Sequence, residues 1–289
     1  ALEVRVRTDA TLPWYQPDMH RFPRRLVAAL LVLAGVAACR PEFQLKNFTT
    51  NEALYAASLH AFDRHHWDDA VTGFEKLTTD LPPRDTLLPR SYWYLAAAHD
   101  HMDEHLLAAQ SYDRLVQTFP EDSLADDAAL ETARSYRRMW RKPQLDPTYG
   151  ETAMASYNTL IGLYPSSPLV GVAQKEIAEL ENWFAIKDYD AGMYYIRRKD
   201  PYSAIIYLKD ILTKYANTPK AYDAALRLVD VYKDVKYKDD ASEMCTQVRQ
   251  RYPSDKQALL ACKGIPDAPT ARADSGQTAA VKPHPPTER

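Results

Sequence analysis

The chain has 289 residues, 46% of them hydrophobic, with only 8 glycines but 19 tyrosines. Its net charge of −3, from 36 basic and 39 acidic residues interspersed, offers no basic field for nucleic acid. Three cysteines are few, and their positions matter more than their number.

Residues 1–18 show no helical periodicity and contain Pro13 and Pro17; as a leader their role is unassigned. Met19 then opens a segment, 19–38, in which His20, Arg21, Arg24 and Arg25 precede an apolar run from Leu26 to Ala38. A run of 13 residues is too short for a spanning helix, which needs roughly 20, and suits the apolar region of a signal peptide. It ends Val36-Ala37-Ala38-Cys39, which resembles the lipobox of bacterial lipoproteins: small residues fit the peptidase and the Cys39 thiol accepts diacylglycerol. The alternatives are an ordinary signal peptide cut after Ala38 and a buried helix. The joint offsets of charge, apolar run and cysteine favour the lipoprotein. Arg40, rather than aspartate, follows, which under the sorting rule of enteric bacteria implies release to the outer membrane.

Residues 39–50 form a lipidated tether, and Asn51 is the expected N-cap of the first helix. Beyond it, one helix ending occurs five times. Ala70, Phe74, Leu77 and Leu81 precede Pro82; Ala108, Tyr112, Leu115 and Phe119 precede Pro120; Ala153, Tyr157, Leu160 and Tyr164 precede Pro165. Ala204, Leu208, Ile211 and Tyr215 precede Ala216, and Ala241, Cys245, Val248 and Tyr252 precede Pro253. Apolar residues three or four apart make one face of a helix, and a proline after it is a stop. The preceding helices supply Leu54, Ser58 and Ala61, then Tyr92, Ala96 and His99, then Ala129, Ala133 and Tyr136. Gly192 and Tyr195, and Leu228, Val229 and Tyr232, continue the pattern. These units resemble tetratricopeptide repeats, spanning 51–82, 90–120, 122–165, 167–216 and 219–253. The expected fold is all-α, a right-handed superhelix of five helix pairs.

Three features qualify the repeats. The stretch RKPQLDPTYG, residues 141–150, interrupts the third as a loop. Apolar residues at helical spacing predict one long helix between Ser167 and Arg198 in the fourth. Lys256 to Lys263 reads as a short capping helix over the last repeat, and residues 264–289, rich in proline, as a disordered tail.

The lipobox, the tether, five such units and the insertion in the third together resemble the BamD family, the lipoproteins of the outer-membrane β-barrel assembly machine. The local matches are NEALYAASLHAFDRHHWDDAVTGFEKL, LYPSSPLVGVAQKEIAEL and YYIRRKDPYSAIIYLKDILTKYANT, within a likeness covering Cys39 to about Lys263. The resemblance implies a non-enzymatic scaffold, anchored by lipid on the periplasmic face of the outer membrane. Repeats three to five would bind the periplasmic domains of a BamA-like barrel-forming subunit. The amino-terminal groove would receive the C-terminal signals of unfolded outer-membrane protein precursors, which typically end in an aromatic residue. Where many relatives carry Asn-Arg, this chain has Ile206 and Tyr207, so Tyr207 is a candidate partner-binding residue without the charge the relatives present there. The runner-up reading is another tetratricopeptide lipoprotein, a secretin pilotin or an adaptor for an envelope hydrolase.

Candidate residues follow from helix phase. Glu52, Tyr55, Leu59, Phe62 and Asp63 in repeat one, with Arg90, Trp93, Ala97 and His101 in repeat two, fall on the faces that line a concave peptide groove. Arg134, Arg137 and Arg138, then Arg197 and Arg198, either meet acidic partners or sit at helix ends that favour positive charge. His101 and His105 are four apart, a metal-compatible step, yet no third ligand joins them and a turn is expected between them. No Gly-x-Ser-x-Gly, phosphate loop or His-Glu-x-x-His occurs, so no enzyme, metal or cofactor is expected. If the last helix pair turns back at Pro253-Ser254-Asp255, Cys245 and Cys262 come within disulfide reach; otherwise Cys245 is a small buried thiol.

Overall fold

The computed structural model describes residues 43–269. The leader, the signal segment, Cys39 and residues 270–289 lie outside the described residues. Residues 43–48 belong to a separate small unit with one 3-10 turn, Leu45–Asn47, and the Phe43 and Phe48 rings 5.3 Å apart.

From Thr49 onward the described chain is helical: α1 (Asn51–Asp63), α2 (Trp67–Asp80), α3 (Leu87–His101), α4 (His105–Thr118), α5 (Ala125–Met139) and α6 (Thr148–Leu163). Then come α7 (Val170–Arg197), α8 (Pro201–Lys214), α9 (Pro219–Asp234), α10 (Lys238–Arg251) and α11 (Lys256–Ala261). Each helix packs on its neighbours in the chain, which is the signature of a solenoid built pair by pair. The fold is an all-α stack of tetratricopeptide-like helix pairs.

The repeated residues explain the pairing. Ala70, Ala108, Ala153 and Ala204 are fully buried, as are Phe74, Tyr157, Leu77, Leu115, Leu160 and Ile211. Facing them, the first helix of each of the first four pairs buries a small residue where the backbones approach: Ser58, Ala96, Ala133 and Gly192. At Gly192 an added Cβ would stand 3.2 Å from Leu208, so the contact between α7 and α8 is already close.

The turn inside a pair is built four times on one plan. His65, Asp103, Lys199 and Lys236 take positive φ of 60°, 59°, 59° and 64°. In each case the next residue's amide reaches back to a helix carbonyl: His66 to Ala61, Glu104 to His99, Asp200 to Tyr195 and Tyr237 to Tyr232, at 2.9–3.0 Å. This is a left-handed helix stop, usually glycine's place, here held by polar side chains. His99 Nδ1 pairs with Glu104 and His105 Nδ1 with Asp100, binding the second turn from both sides. The two histidines spaced four apart therefore sit on different helices.

Several boundaries differ from expectation. Thr50, not Asn51, caps α1, because its extended backbone lets Oγ1 accept from the Ala53 amide at 3.2 Å. The third-repeat loop ends at Pro147, since Asp146 accepts from the Thr148 amide and the next three residues become helix. That loop is pinned to α7 by Gln144 on Asp190 and by Lys187 on the Leu145 carbonyl. The long helix starts at Val170 rather than Ser167, because Ser167 Oγ accepts from Leu169 and donates to Asp126 just ahead of it. It spans 28 residues and belongs to two cores, giving Leu180 and Phe184 to one and Ala185 to the next.

The tail departs from expectation too. Residues 264–269 lie against α10: Ser242 donates to the Pro266 carbonyl and Ala268 to Thr246 Oγ1. Arg249 reaches the carbonyls of Cys262 and Ile265, both at 2.7 Å, and pairs with Asp267. Cys245 and Cys262 are joined by a disulfide with a Cα separation of 5.5 Å, tying α11 to α10.

Candidate docking surfaces

Repeats one and two carry a run of rings. Tyr55 stands edge-on to Phe74 at 5.8 Å, and Phe74 stacks on Tyr94 at 5.5 Å. Phe62 touches Tyr94, Trp67 and His101 at 5.2, 5.1 and 5.9 Å, and His101 stacks on Trp67 at 4.2 Å. Tyr55, Phe62, Trp67 and Tyr94 are half-buried and His101 exposed, so one side of the run is open to a ligand. Burial pushes the Tyr55 hydroxyl above its ordinary pKa, with Tyr94 adding to it and Arg90 opposing. Glu52, Asp63 and Arg90 are exposed and Leu59 and Ala97 half-buried along the same helices.

Trp93 does not join this run. Its ring turns onto Tyr112 of α4, 5.1 Å away, and packs against the core of repeats two to four. Tyr94, one residue and about 100° further round the helix, takes the groove position instead. Trp67 was also missed; its place as first residue of α2, next to the turn, gives no periodic signal.

The basic segment of repeat three is engaged within the protein. Arg134 holds Glu176 at 2.6 Å and Glu131 at 2.7 Å; Arg137 pairs with Glu179; Arg138 pairs with Asp100 and Glu131. These bonds cross from α3 to α5 to α7. Neither expected role, open cations for an acidic partner or dipole partners alone, describes them. A cleft of about 520 Å³ beside them is lined by Arg141, Trp140 and Trp183 as well.

Repeat four is different. Arg197 and Arg198 end α7 exposed, and no ion pair engages them among the described residues. Tyr207 stacks on Tyr195 at 5.4 Å. Beside them Ile206 is 62% and Tyr202 61% exposed, four residues apart on one face of α8, and Tyr202 meets Tyr237 of the next turn at 6.4 Å. Tyr194 is exposed as well. Isolated exposed apolar residues are ordinary, but a contiguous group of large ones marks a contact surface.

Among the described residues no cluster of three His, Cys, Asp or Glu gathers to hold a metal ion, and no helix is long and apolar enough to cross a membrane. Stacked helix pairs, with a run of aromatic rings in repeats one and two and exposed apolar residues on repeat four, define a helical-repeat protein of the tetratricopeptide type. The family of YfiO outer membrane lipoproteins matches residues 48–252, and the chain belongs to that family.

A Caulobacter vibrioides protein named outer membrane protein assembly factor BamD is 23% identical over 242 residues, covering 81% of this chain and 78% of that one. Its namesake in Rickettsia prowazekii is 21% identical over 239 residues, covering 80% and 93%. Among solved structures, a tetratricopeptide repeat protein of Thermus thermophilus aligns with 73% of this chain and 96% of its own, at 16% identity and a TM-score of 0.32.

Proposed function

We propose that the chain is a non-enzymatic scaffold for the assembly of β-barrel proteins at the outer membrane, held on its periplasmic face by lipid on Cys39. The role in the relatives' name, assembly of outer membrane proteins, supports the process. The exposed patch of repeat four, Tyr202 and Ile206 beside Arg197, Arg198 and Tyr207, would seat the periplasmic domains of a BamA-like barrel-forming subunit. An apolar centre rimmed by arginine is the composition of a protein interface rather than of a nucleic-acid or sugar site.

The groove of repeats one and two would receive the C-terminal signals of unfolded outer-membrane precursors. The observation that carries this is the half-open run Tyr55, Tyr94, Phe62, Trp67 and His101, laid over the buried Phe74 ring. A peptide ending in an aromatic can lay its ring edge-on to such a run, gaining buried area and quadrupole contacts. The acyl anchor would hold this groove within reach of the assembly site.

The test is a fluorescein-labelled peptide ending in phenylalanine, titrated with the full chain in detergent. Phe62→Ala should weaken binding by about 2 kcal/mol, roughly thirtyfold, with helical content unchanged. Equal affinity of the variant and the parent would move the signal site off this face.

A further inference from the structure

The groove of repeats one and two has a direction. Arg90, Tyr94, Ala97 and His101 recur four, three and four residues apart, which places them in one row along α3. Tyr55, Leu59 and Phe62 make the facing row on α1. Phe62 meets Tyr94 and His101, while Tyr55 stands at the Arg90 end, so the two rows run the same way. Arg90 to His101 is a rise of about 16 Å, the length of roughly five extended residues. The run of rings is thus bounded by an arginine at one end and by the Trp67–His101 stack at the other.

Arg90 is exposed and no ion pair engages it among the described residues, unlike the arginines of repeat three. Burial and then Tyr94 push the Tyr55 hydroxyl up, and Arg90 pulls it down, so the guanidinium acts on the ring at that end of the groove. The neighbouring carboxylates do not use it. Asp85 accepts from the Leu87 amide at 2.8 Å, and Asp100 is held by His105 and Arg138. Asp63 belongs to the far end, next to Phe62. Glu52 shares the Arg90 end but makes no ion pair with it, and its place in the first turn of α1 accounts for its charge. α3 has no acidic residue in its own first turn, so the positive end of its dipole adds to the arginine.

We propose that Arg90 binds the free α-carboxylate of the segment the groove receives, with the terminal aromatic ring against Tyr55 and Tyr94 and the preceding residues running toward His101. The inference rests on the reading of this groove as the precursor-signal site. It adds a means of telling a chain end from the same residues inside a chain. An internal segment brings a neutral peptide group where the carboxylate would be, and forfeits a charge-assisted, two-pronged hydrogen bond. Rings alone accept an aromatic side chain anywhere in a segment; rings with a guanidinium beyond them select it as the last residue.

The test uses the hexapeptide Ser-Gly-Val-Gln-Tyr-Phe, labelled with fluorescein at its amino end and made with either a free carboxylate or an amide at its carboxyl end. Both are titrated by anisotropy against the full chain in detergent. The acid should bind about tenfold tighter than the amide. Arg90→Gln, a change at an exposed position, should bring the acid down to the affinity of the amide and leave the amide where it was. Arg90→Lys should keep about a threefold preference, since it retains the charge without the fork. Phe62→Ala should weaken both forms alike. Equal binding of acid and amide by the parent, or a preference that survives Arg90→Gln, would overturn the proposal and leave the groove reading standing. Binding of neither form would overturn both.

Discussion

The guanidinium of Arg134 on α5 holds the Glu176 carboxylate on α7 at 2.6 Å, and the Tyr157 hydroxyl on α6 donates to the same carboxylate at 2.6 Å. One acidic group thus joins three consecutive helices at the middle of the stack. Burial alone would push the Glu176 carboxyl up, but the bonds from Arg134 and Tyr157 outweigh it and hold it below its ordinary 4.5. Burial, then the bond to Glu176, pushes the Tyr157 hydroxyl well above the usual tyrosine range.

A pH dependence follows. Because the folded carboxyl titrates below the unfolded one, the unfolded chain binds more protons in acid, and the stability from Glu176 is lost as pH falls through the folded value. This contribution should be complete above about pH 5 and drain below the ordinary carboxylate range. Glu176→Gln should cost about 1–2 kcal/mol at neutral pH, since the pair is only partly buried, and should show a shallower acid decline. Thermal unfolding from pH 7 to pH 3 checks this; parallel acid limbs for variant and parent would contradict it.

Two glycines should respond oppositely to alanine. A Cβ on Gly150 would stand 2.2 Å from Cε3 of the buried Trp140, so Gly150→Ala must displace an indole with nowhere to go. The expected loss is about 1–3 kcal/mol despite the better helix propensity. Gly162, on the same helix, meets nothing within 4 Å, and Gly162→Ala should gain about 0.5–1 kcal/mol. Urea denaturation of the two variants measures both signs.

Trp93 and Phe62 separate packing from recognition. Trp93 sits on Tyr112 in the core of repeats two to four, so Trp93→Ala should lower stability by about 2–3 kcal/mol and affect peptide affinity little. Phe62→Ala should weaken peptide binding by about 2 kcal/mol while also costing roughly 1–2 kcal/mol of stability through its lost contacts with Trp67, Tyr94 and His101. Denaturation midpoints and peptide titrations on both variants decide; a Trp93→Ala variant that is stable but fails to bind peptide would return Trp93 to the groove.

The helix pairs were legible because their information is local: an alanine, an aromatic and a leucine at helical spacing, stopped by proline, mark a buried face without any partner in view. Ala153, Tyr157 and Leu160 are fully buried for that reason. What escaped was long-range or a matter of phase. Arg134 and Glu176 are 42 positions apart, so an open basic segment and an internal ion-pair ladder read alike in sequence. Trp93 and Tyr94 differ by one residue, and a step of about 100° round the helix sends one ring to Tyr112 of α4 and the other to Phe62 and Phe74 of α1 and α2. The four left-handed turns hold His65, Asp103, Lys199 and Lys236, so glycine gave no warning of them. Residues 265–269 lack periodicity, and their order comes from Ser242 and Arg249 on α10.

The disulfide should matter for the end of the stack. Cys245 and Cys262 are 17 positions apart and fully buried. Paired Cys245→Ser and Cys262→Ser should cost about 3 kcal/mol on the chain-entropy account, and alkylation of the unreduced, denatured chain should leave both thiols unlabelled. Full labelling would mean that the protein isolated from the envelope lacks the bond.

The most direct measurement is affinity isolation of the full chain from detergent-solubilised membranes, done in parallel with Ile206→Asp, a change at an exposed position that leaves the core intact. The account predicts that the parent recovers a large β-barrel subunit, and that the variant folds equally well but loses it. Recovery of a secretin or an envelope hydrolase in place of the barrel subunit, or equal recovery of that subunit by both forms, would contradict it.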